Sequence, residues 1–351
     1  GDKAFFLYDT LGFPIDLTEQ MTQEAGLTLD IQGFEKEMET QKERSRRARN
    51  ASKLGQGEIQ LEFIAEQTAF LNAKGILPTD DEPKYEWDLD LEANIVAVFT
   101  DEDGFVSEGT LLDAETAPPT IGLVLNRSSF YAEAGGQEAD TGTMTLQSHM
   151  DNENENDKHP MMAKFVVKDV QTYGGYVLHT GKLEEGSLLV GAIEQSSESS
   201  PKSKCNVNYD RRRDIAPNHS MTHVLNAALR DVLTDNDKTT TIEQRGSLCN
   251  DQKLRFDFSY KKALTLKQLE MVEAYCQRII NEGQTVRAEI LPLEEAQQID
   301  GVCAVFGEVY PDPVRVVSIG EDDIASSVEF CGGTHLSNTS EANAFAIVEE
   351  T

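Results

Sequence analysis

Two short motifs, about a hundred residues apart, limit this chain more than anything else in it. One is NHSMTH (218–223), which carries His219 and His223; the other is CGGTH (331–335), which carries Cys331 and His335. His219 and His223 stand four apart, so on a helix both rings leave the same face. Cys331 and His335 are also four apart, but the glycines between them make poor helix and good tight loop, so this pair converges through a turn. Three imidazoles and a thiolate form a borderline-soft donor set that suits Zn2+. With six His in 351 residues, chance supplies about 0.1 pairs at i,i+4, so the helical pair alone is weak and the second pair turns the reading toward a metal. Three protein ligands plus water mark a catalytic zinc and four a structural one; the four candidates here leave both open. Neither HExxH nor GxSxG occurs, which disfavours a protease or lipase.

The charge is a constraint of a different kind. A formal net charge of −31 repels phosphate, so a nucleic-acid partner requires that basic residues be segregated. Two runs qualify: KERSRRAR (42–49) and KSKCNVNYDRRR (202–213), the second leading directly into the His219 segment. Each is either a solvated face or an RNA contact. Five Cys with no CxxC pair favour reduced thiols in a cytosolic-type compartment. No apolar run of about 18 residues suggests a membrane span, and no signal peptide is visible. The first residues read as mid-fold sequence, which suggests a fragment of two or three domains.

Taken in order, residues 1 to about 71 read as helical, and 79–92 as an acidic, proline-containing surface connection. From Asn94 short alternating runs separated by turn signals have the rhythm of a β-barrel or sandwich, with a mobile polar insertion expected over 147–160. Gly135-Gly136 lies in a loop of this region, and 195–204 reads as a linker. From Asn206 the pattern is α/β. Pro217-Asn218 predicts the start of a helix to about Leu233, its apolar stripe (Val224, Leu225, Ala228, Leu229, Val232) facing the core and both histidines in its first turns, near the positive end. Thr265 with Gln268 forms a capping box for another helix, with Gly283 past its end. RFDF, VRAEIL, VRVVSI and AFAIVEE read as strands, CGGTH following the third.

NHSMTH, QRGSL (244–248), LRFDFS (254–259), VFGEVYPDPVRVVSIG (305–320) and SVEFCGGTH (327–335), in that order, resemble the editing domain of alanyl-tRNA synthetases. LYDTLGFPID (7–16) is similar to the end of the helical region that precedes it. The resemblance implies an α+β multidomain chain: residues 1–75 end the helical tRNA-recognition region, 93–195 form a small β-barrel, and 205–351 form an α/β zinc-containing editing core. It implies hydrolysis of the ester in Ser-tRNA(Ala) and Gly-tRNA(Ala), errors that a first site built for alanine cannot reject strongly. His219, His223, Cys331 and His335 would hold Zn2+. Thr222 would recognise the serine hydroxyl and Gln244 would line the pocket, although helix packing and a surface loop are the plainer roles for those two. Ser128 to Gly142 matches an FYxExGGQ loop, so Gly135, Gly136 and Gln137 become candidates for substrate contact; a hairpin turn would need only the glycines.

Asp9 would read the acceptor stem at its G·U pair in the minor groove, or else cap a helix. Arg211 and Arg212 would contact RNA. The expected partner is the tRNA(Ala) acceptor end, in the cytoplasm and not at a membrane; the oligomeric state stays open. ATP and Mg2+ belong to an aminoacylation core that is not visible, so no tRNA charging is expected of this chain. Departures from the family pattern are Leu11, where Tyr is usual, Ser220-Met221 within NHSMTH, and 337–345, where TGxIGxF is commoner. Two alternatives are a free-standing trans-editing deacylase, disfavoured by LYDTLGFP, and a zinc-stapled tRNA-binding module without turnover.

Overall fold

The computed structural model describes residues 60–149, 160–195, 200–234, 242–304, 310–321 and 325–351, with only isolated positions before Gln60. Asp9, the basic run 42–49, the tip of the 147–160 insertion and nearly all of the N-terminal helical expectation lie outside the described residues. The chain divides into two compact units, Gly1–Gln60 and Leu61–Thr351, and the barrel, the long helices and the sheets all belong to the second.

Alternating apolar residues build a barrel first. Strands β1 (Leu91–Thr100), β4 (Ile121–Leu125), β7 (Tyr176–Leu189), β6 (Met161–Tyr173), β5 (Gly142–Ser148) and β8 (Lys202–Val207) pair antiparallel in that order, and β8 returns to β1. Two short strands, β2 (Gly104–Phe105) and β3 (Leu111–Asp113), attach to β1 and β7. Closure leaves none of the six strands with an open edge. The segment read as a linker therefore contributes, from Lys202, the strand that closes the barrel. Its Ser/Glu/Lys composition hid an alternation in which Ser203, Cys205 and Val207 are buried.

A bulge between Ile95 and Ala97 changes the parity of β1. Leu91, Ala93, Ile95 and Val98 face the barrel core, while Val96, Ala97 and Phe99 face outward. The outward set is covered by Leu61, Phe63 and Leu71 from a segment that includes helix α1 (Ala65–Ala73). Gln67 caps that helix by accepting the Ile64 N–H at 3.0 Å.

The second half is built on helix α2 (Tyr209–Thr234), which runs 26 residues and starts well before the expected Pro217. Asn208 opens it, its side chain accepting the Arg211 N–H at 3.1 Å and its carbonyl the Arg212 N–H at 3.1 Å. Pro217 removes one helical hydrogen bond, but the preceding turn is pinned from outside by Arg212. The histidines are consequently mid-helix, not in its first turns, and the helix's positive end lies away from them. The predicted stripe packs as expected: Val224, Leu225, Ala228 and Leu229 meet Val272, Cys276, Ile279 and Ile280 of α3 (Leu266–Glu282). That helix carries the expected Thr265–Gln268 box and ends at Gly283.

A hairpin, β9 (Gln244–Cys249) with β10 (Leu254–Phe258), and a sheet ordered β11 (Val286–Leu291), β12 (Val314–Ile319), β13 (Ser327–Phe330) complete the layer. A short helix, α4 (Leu293–Ala296), packs on β12. AFAIVEE is not a strand. Phe345 and Ile347 give their amides to Gln277 and Glu273 side chains on α3, so no neighbouring strand receives them.

Candidate metal centre

Helix α2 and the loop after β13 meet in one cluster. His219, His223, Cys331 and His335 place one donor atom each within 4.8 Å of one another. The two helix-borne rings lie 5.6 Å apart between centroids, and His335 sits 4.6 Å from one and 4.8 Å from the other. Cys331 Sγ is 3.2 Å from His219 Nε2 and 3.4 Å from His335 Nε2. As expected, CGGTH converges without a helix. Gly333 is required there, since a Cβ at that position would run into the His219 ring.

The surrounding hydrogen bonds orient each ring. Gln137 Oε1 accepts the Thr334 N–H at 2.9 Å while its Nε2 donates to Thr334 Oγ1 at 2.8 Å, so its oxygen also faces His219 Nδ1, 2.7 Å away. His219 therefore carries its proton on Nδ1 and turns the lone pair of Nε2 to the cluster. Ser220 Oγ lies 3.1 Å from His335 Nδ1 and accepts the Leu336 N–H at 3.0 Å. His223 Nε2 faces Glu329 Oε2 at 3.8 Å, and its Nδ1 is buried with no partner among the described residues. That orphaned nitrogen is what a metal would satisfy.

Burial sets the charge states. It pushes His219 and His223 down to about 3, and His335 well below its usual value; neighbouring imidazoles add to the effect on His219 and His335, and the Arg315 guanidinium adds to it on all three. The rings stay neutral, which is the ligating form. Burial pushes the Cys331 thiol up to about 12 and Glu329 up to about 7. A divalent cation would reverse the thiol's preference by stabilising the thiolate directly. The residues fit a zinc ion on both donor chemistry and the unmet nitrogen.

Other candidates fall in different places. Gln137 is fully buried behind His219, its amide spent on Thr334 and the ring. Gly135 and Gly136 turn at φ +57° and +82°, and a Cβ on Gly136 would strike Ser247. Cys249 N–H bonds to Gly136 O at 2.7 Å, so the QRGSL strand and the glycine loop are locked together. Thr222 is buried on α2, its hydroxyl donating to Asn218 O at 2.8 Å and lying 3.2 Å from Cys249 Sγ. Gln244 is half-buried on β9, donating to Ser247 Oγ at 3.2 Å.

Arg212 does not face solvent. Its side chain is 0 % exposed, paired with Asp140 and donating to Ser129 O at 2.6 Å, Lys84 O at 3.0 Å and Glu86 O at 3.3 Å. A guanidinium so enclosed has no donor left for phosphate. Arg211 is bound to Glu138 at 2.6 Å and to Ala139 O at 2.7 Å. Read from sequence, the basic run looks like one surface; the fold turns Arg211 and Arg212 inward and leaves Arg213 outside with Asp88.

Three contributors escaped sequence reading. Tyr85, from the supposed surface connection, donates its hydroxyl to Gly332 O at 3.1 Å. Arg315 stacks on that ring at 4.1 Å and donates to Cys331 O at 2.8 Å and Gly333 O at 3.0 Å, holding the CGGTH backbone. Glu329 backs His223 and is itself held by Asn226 at 3.0 Å. The strand period offered one clue, because Glu329 and Cys331 fall on one face of the chain; Tyr85 and Arg315 carried no such signal.

Comparison with known proteins places this architecture. A family described as tRNA synthetases class II (A) matches residues 1–198, and the threonyl and alanyl tRNA synthetase second additional domain matches residues 314–351. The chain belongs to the class II (A) tRNA synthetases. Within that class its relatives are alanine–tRNA ligases. The mitochondrial enzyme of Saccharomyces cerevisiae is 40% identical over 365 residues, covering 100% of this chain and 33% of that protein. The cytoplasmic enzyme of Bombyx mori is 40% identical over 377 residues (100% and 35%), and that of Dictyostelium discoideum 39% over 365 residues (99% and 34%). The chain thus spans about a third of the length of these relatives. Among the described residues no helix is long and apolar enough to cross a membrane.

Proposed function

We propose that this chain is the editing part of an alanine–tRNA ligase and hydrolyses the ester of Ser-tRNA(Ala) and Gly-tRNA(Ala). The observation that carries the reading is the convergence of three neutral imidazoles and Cys331, with one imidazole nitrogen unmet. In this reading residues 1–75 end the tRNA-recognition region, the barrel extends through Val207, and the remainder is the zinc-containing hydrolytic core. The partner is the acceptor end of tRNA(Ala), and the compartment is the cytoplasm, as named for the Bombyx and Dictyostelium relatives.

A Zn2+ held by His219, His223, Cys331 and His335 would supply Lewis-acid charge stabilisation beside the ester. The chain's own residues do the positioning. Gln137 fixes the His219 tautomer, Ser220 faces His335 Nδ1, and Glu329 faces His223. An aminoacyl ester is more reactive than an amide, so orientation and electrostatics suffice without a strong protein nucleophile. Thr222 has spent its proton on Asn218 O, which leaves its oxygen as the acceptor we assign to the serine hydroxyl. Gln244 is assigned to the pocket wall beside it. The Thr222 contact separates serine from alanine, which lacks the hydroxyl, and has no part in hydrolysis of the glycyl ester.

Deacylation of Ser-tRNA(Ala) and Ala-tRNA(Ala), measured together with bound zinc, tests the reading. Wild type should release serine and spare alanine, and Cys331→Ala should lose zinc and activity together. A Cys331→Ala protein that hydrolyses Ser-tRNA(Ala) at the wild-type rate sinks the metal's role.

A further inference from the structure

The end of β9 grips helix α2 at two points. Asn218 Nδ2 donates to Asn250 O at 2.8 Å, and Thr222 Oγ1 lies 3.2 Å from Cys249 Sγ. The second contact has only one polarity. Thr222 owns a single hydroxyl proton and gives it to Asn218 O at 2.8 Å, so at Cys249 its oxygen accepts and the thiol donates. Burial pushes that thiol up to about 11, which keeps the proton on sulfur. A hydroxyl oxygen has two lone pairs; Cys249 takes one, and one is left. Neither partner is free to drift: Cys249 is 0 % exposed and Thr222 3 %. The Cys249 N–H bonds to Gly136 O at 2.7 Å, and its carbonyl accepts the Glu138 N–H at 3.0 Å. Between Gly136 and Glu138 stands Gln137, whose amide holds His219. The same backbone therefore fixes a ring of the metal cluster and, through sulfur, a hydroxyl three residues further along the helix.

We propose that Cys249 is a specificity-positioning residue: its S–H fixes the direction of the one lone pair that Thr222 has left for the side-chain hydroxyl of a seryl ester. This rests on the editing function proposed above and adds to it a residue that acts through Thr222 without touching the substrate. An oxygen that donates to Asn218 O and accepts from sulfur has a single open direction, so a β-hydroxyl is taken up in one geometry. Glycine has no hydroxyl to place, and its ester is indifferent to this contact. A Cys249 that only filled space would serve both esters alike.

Deacylation of Ser-tRNA(Ala) and Gly-tRNA(Ala) by the intact chain, with bound zinc measured alongside, separates the two roles. Cys249→Ala should lower kcat/KM for the seryl ester about fivefold more than for the glycyl ester, with zinc content at the wild-type level. Cys249→Ser, which keeps a donor, should recover most of the seryl preference and guards against misfolding of the alanine variant. In a Thr222→Val background, where the acceptor is gone, Cys249→Ala should leave the ratio of the two esters unmoved. The S–H stretching band that disappears in Cys249→Ser should shift to higher frequency in Thr222→Val, because the thiol has lost its acceptor. An equal fall for both esters, a loss of zinc in Cys249→Ala, the same change of ratio in the Thr222→Val background, or an S–H band that Thr222→Val does not move overturns the proposal. A wild type that hydrolyses neither ester brings down the editing reading and this assignment with it. A wild type that hydrolyses both, while Cys249→Ala keeps their ratio, brings down this assignment alone.

Discussion

Helix α2 carries two buried polar knots, and they are closed in different ways. At its start Arg212 is surrounded by Asp140 and three backbone carbonyls, all supplied by the protein. Two turns later His219 and His223 meet Cys331 and His335, and there the protein leaves His223 Nδ1 without a partner among the described residues. The barrel's own buried imidazole makes the same point. His179 Nδ1 faces Leu123 O at 3.1 Å and its Nε2 faces Ser128 Oγ at 2.7 Å, so both nitrogens are met. Buried polar groups are nearly always satisfied. The Arg212 and His179 knots close on the protein's own groups, and the histidine–cysteine knot stays open at an imidazole nitrogen that fits the metal proposed above.

The comparison can be broken at several points. Asp140→Ala should cost about 3–5 kcal/mol, because it strands a buried guanidinium; urea unfolding should show the same loss with and without zinc. A cost that appears only with zinc would join the two knots into one. His179, which burial lowers to about 4, should make the barrel acid-sensitive. The unfolded chain takes up this proton near pH 6.5, the folded chain only near 4, so the contribution is complete above about 6.5 and is lost as pH falls towards 4. Its size is about 3 kcal/mol, and His179→Gln should flatten the urea-midpoint profile over that window relative to wild type.

Zinc should stabilise the open knot alone. At a free concentration of about 100 Kd the gain is about 2.7 kcal/mol, read as a rise in Tm that chelation reverses and that Cys331→Ala lacks. Equal chelator sensitivity in Cys331→Ala would remove the distinction. The smallest effect belongs to Gln137→Ala, which should weaken zinc by about 10–100-fold because His219 loses the acceptor that fixes its tautomer. Unchanged zinc affinity would leave Gln137 as a strut between the barrel loop and Thr334.

Much of the centre was legible because it rests on local chemistry. Four-residue spacing places His219 and His223 on one helix face, and two glycines bend Cys331 toward His335. The Thr265–Gln268 box and the alternating strands of the barrel are local in the same sense. What escaped depends on distant partners. Pro217 reads as a helix start, but Asn208 opens the helix two turns earlier and Arg212 anchors that turn to Asp140. A proline inside a helix costs about 3 kcal/mol, of the same order as breaking the buried pair, so the tertiary contact can outweigh the local signal. AFAIVEE has the composition of a strand, yet its amides meet α3 side chains.

The sequence by itself determined which atoms could bind a metal and that the two pairs lie on different kinds of backbone, because spacing and residue type act within a few residues. Only the tertiary structure decided that Arg212 is walled in, that Tyr85 and Arg315 hold the CGGTH loop, and that Cys249 meets Thr222. Those outcomes depend on which surfaces exclude water from one another, and that is set by segments far apart in the chain.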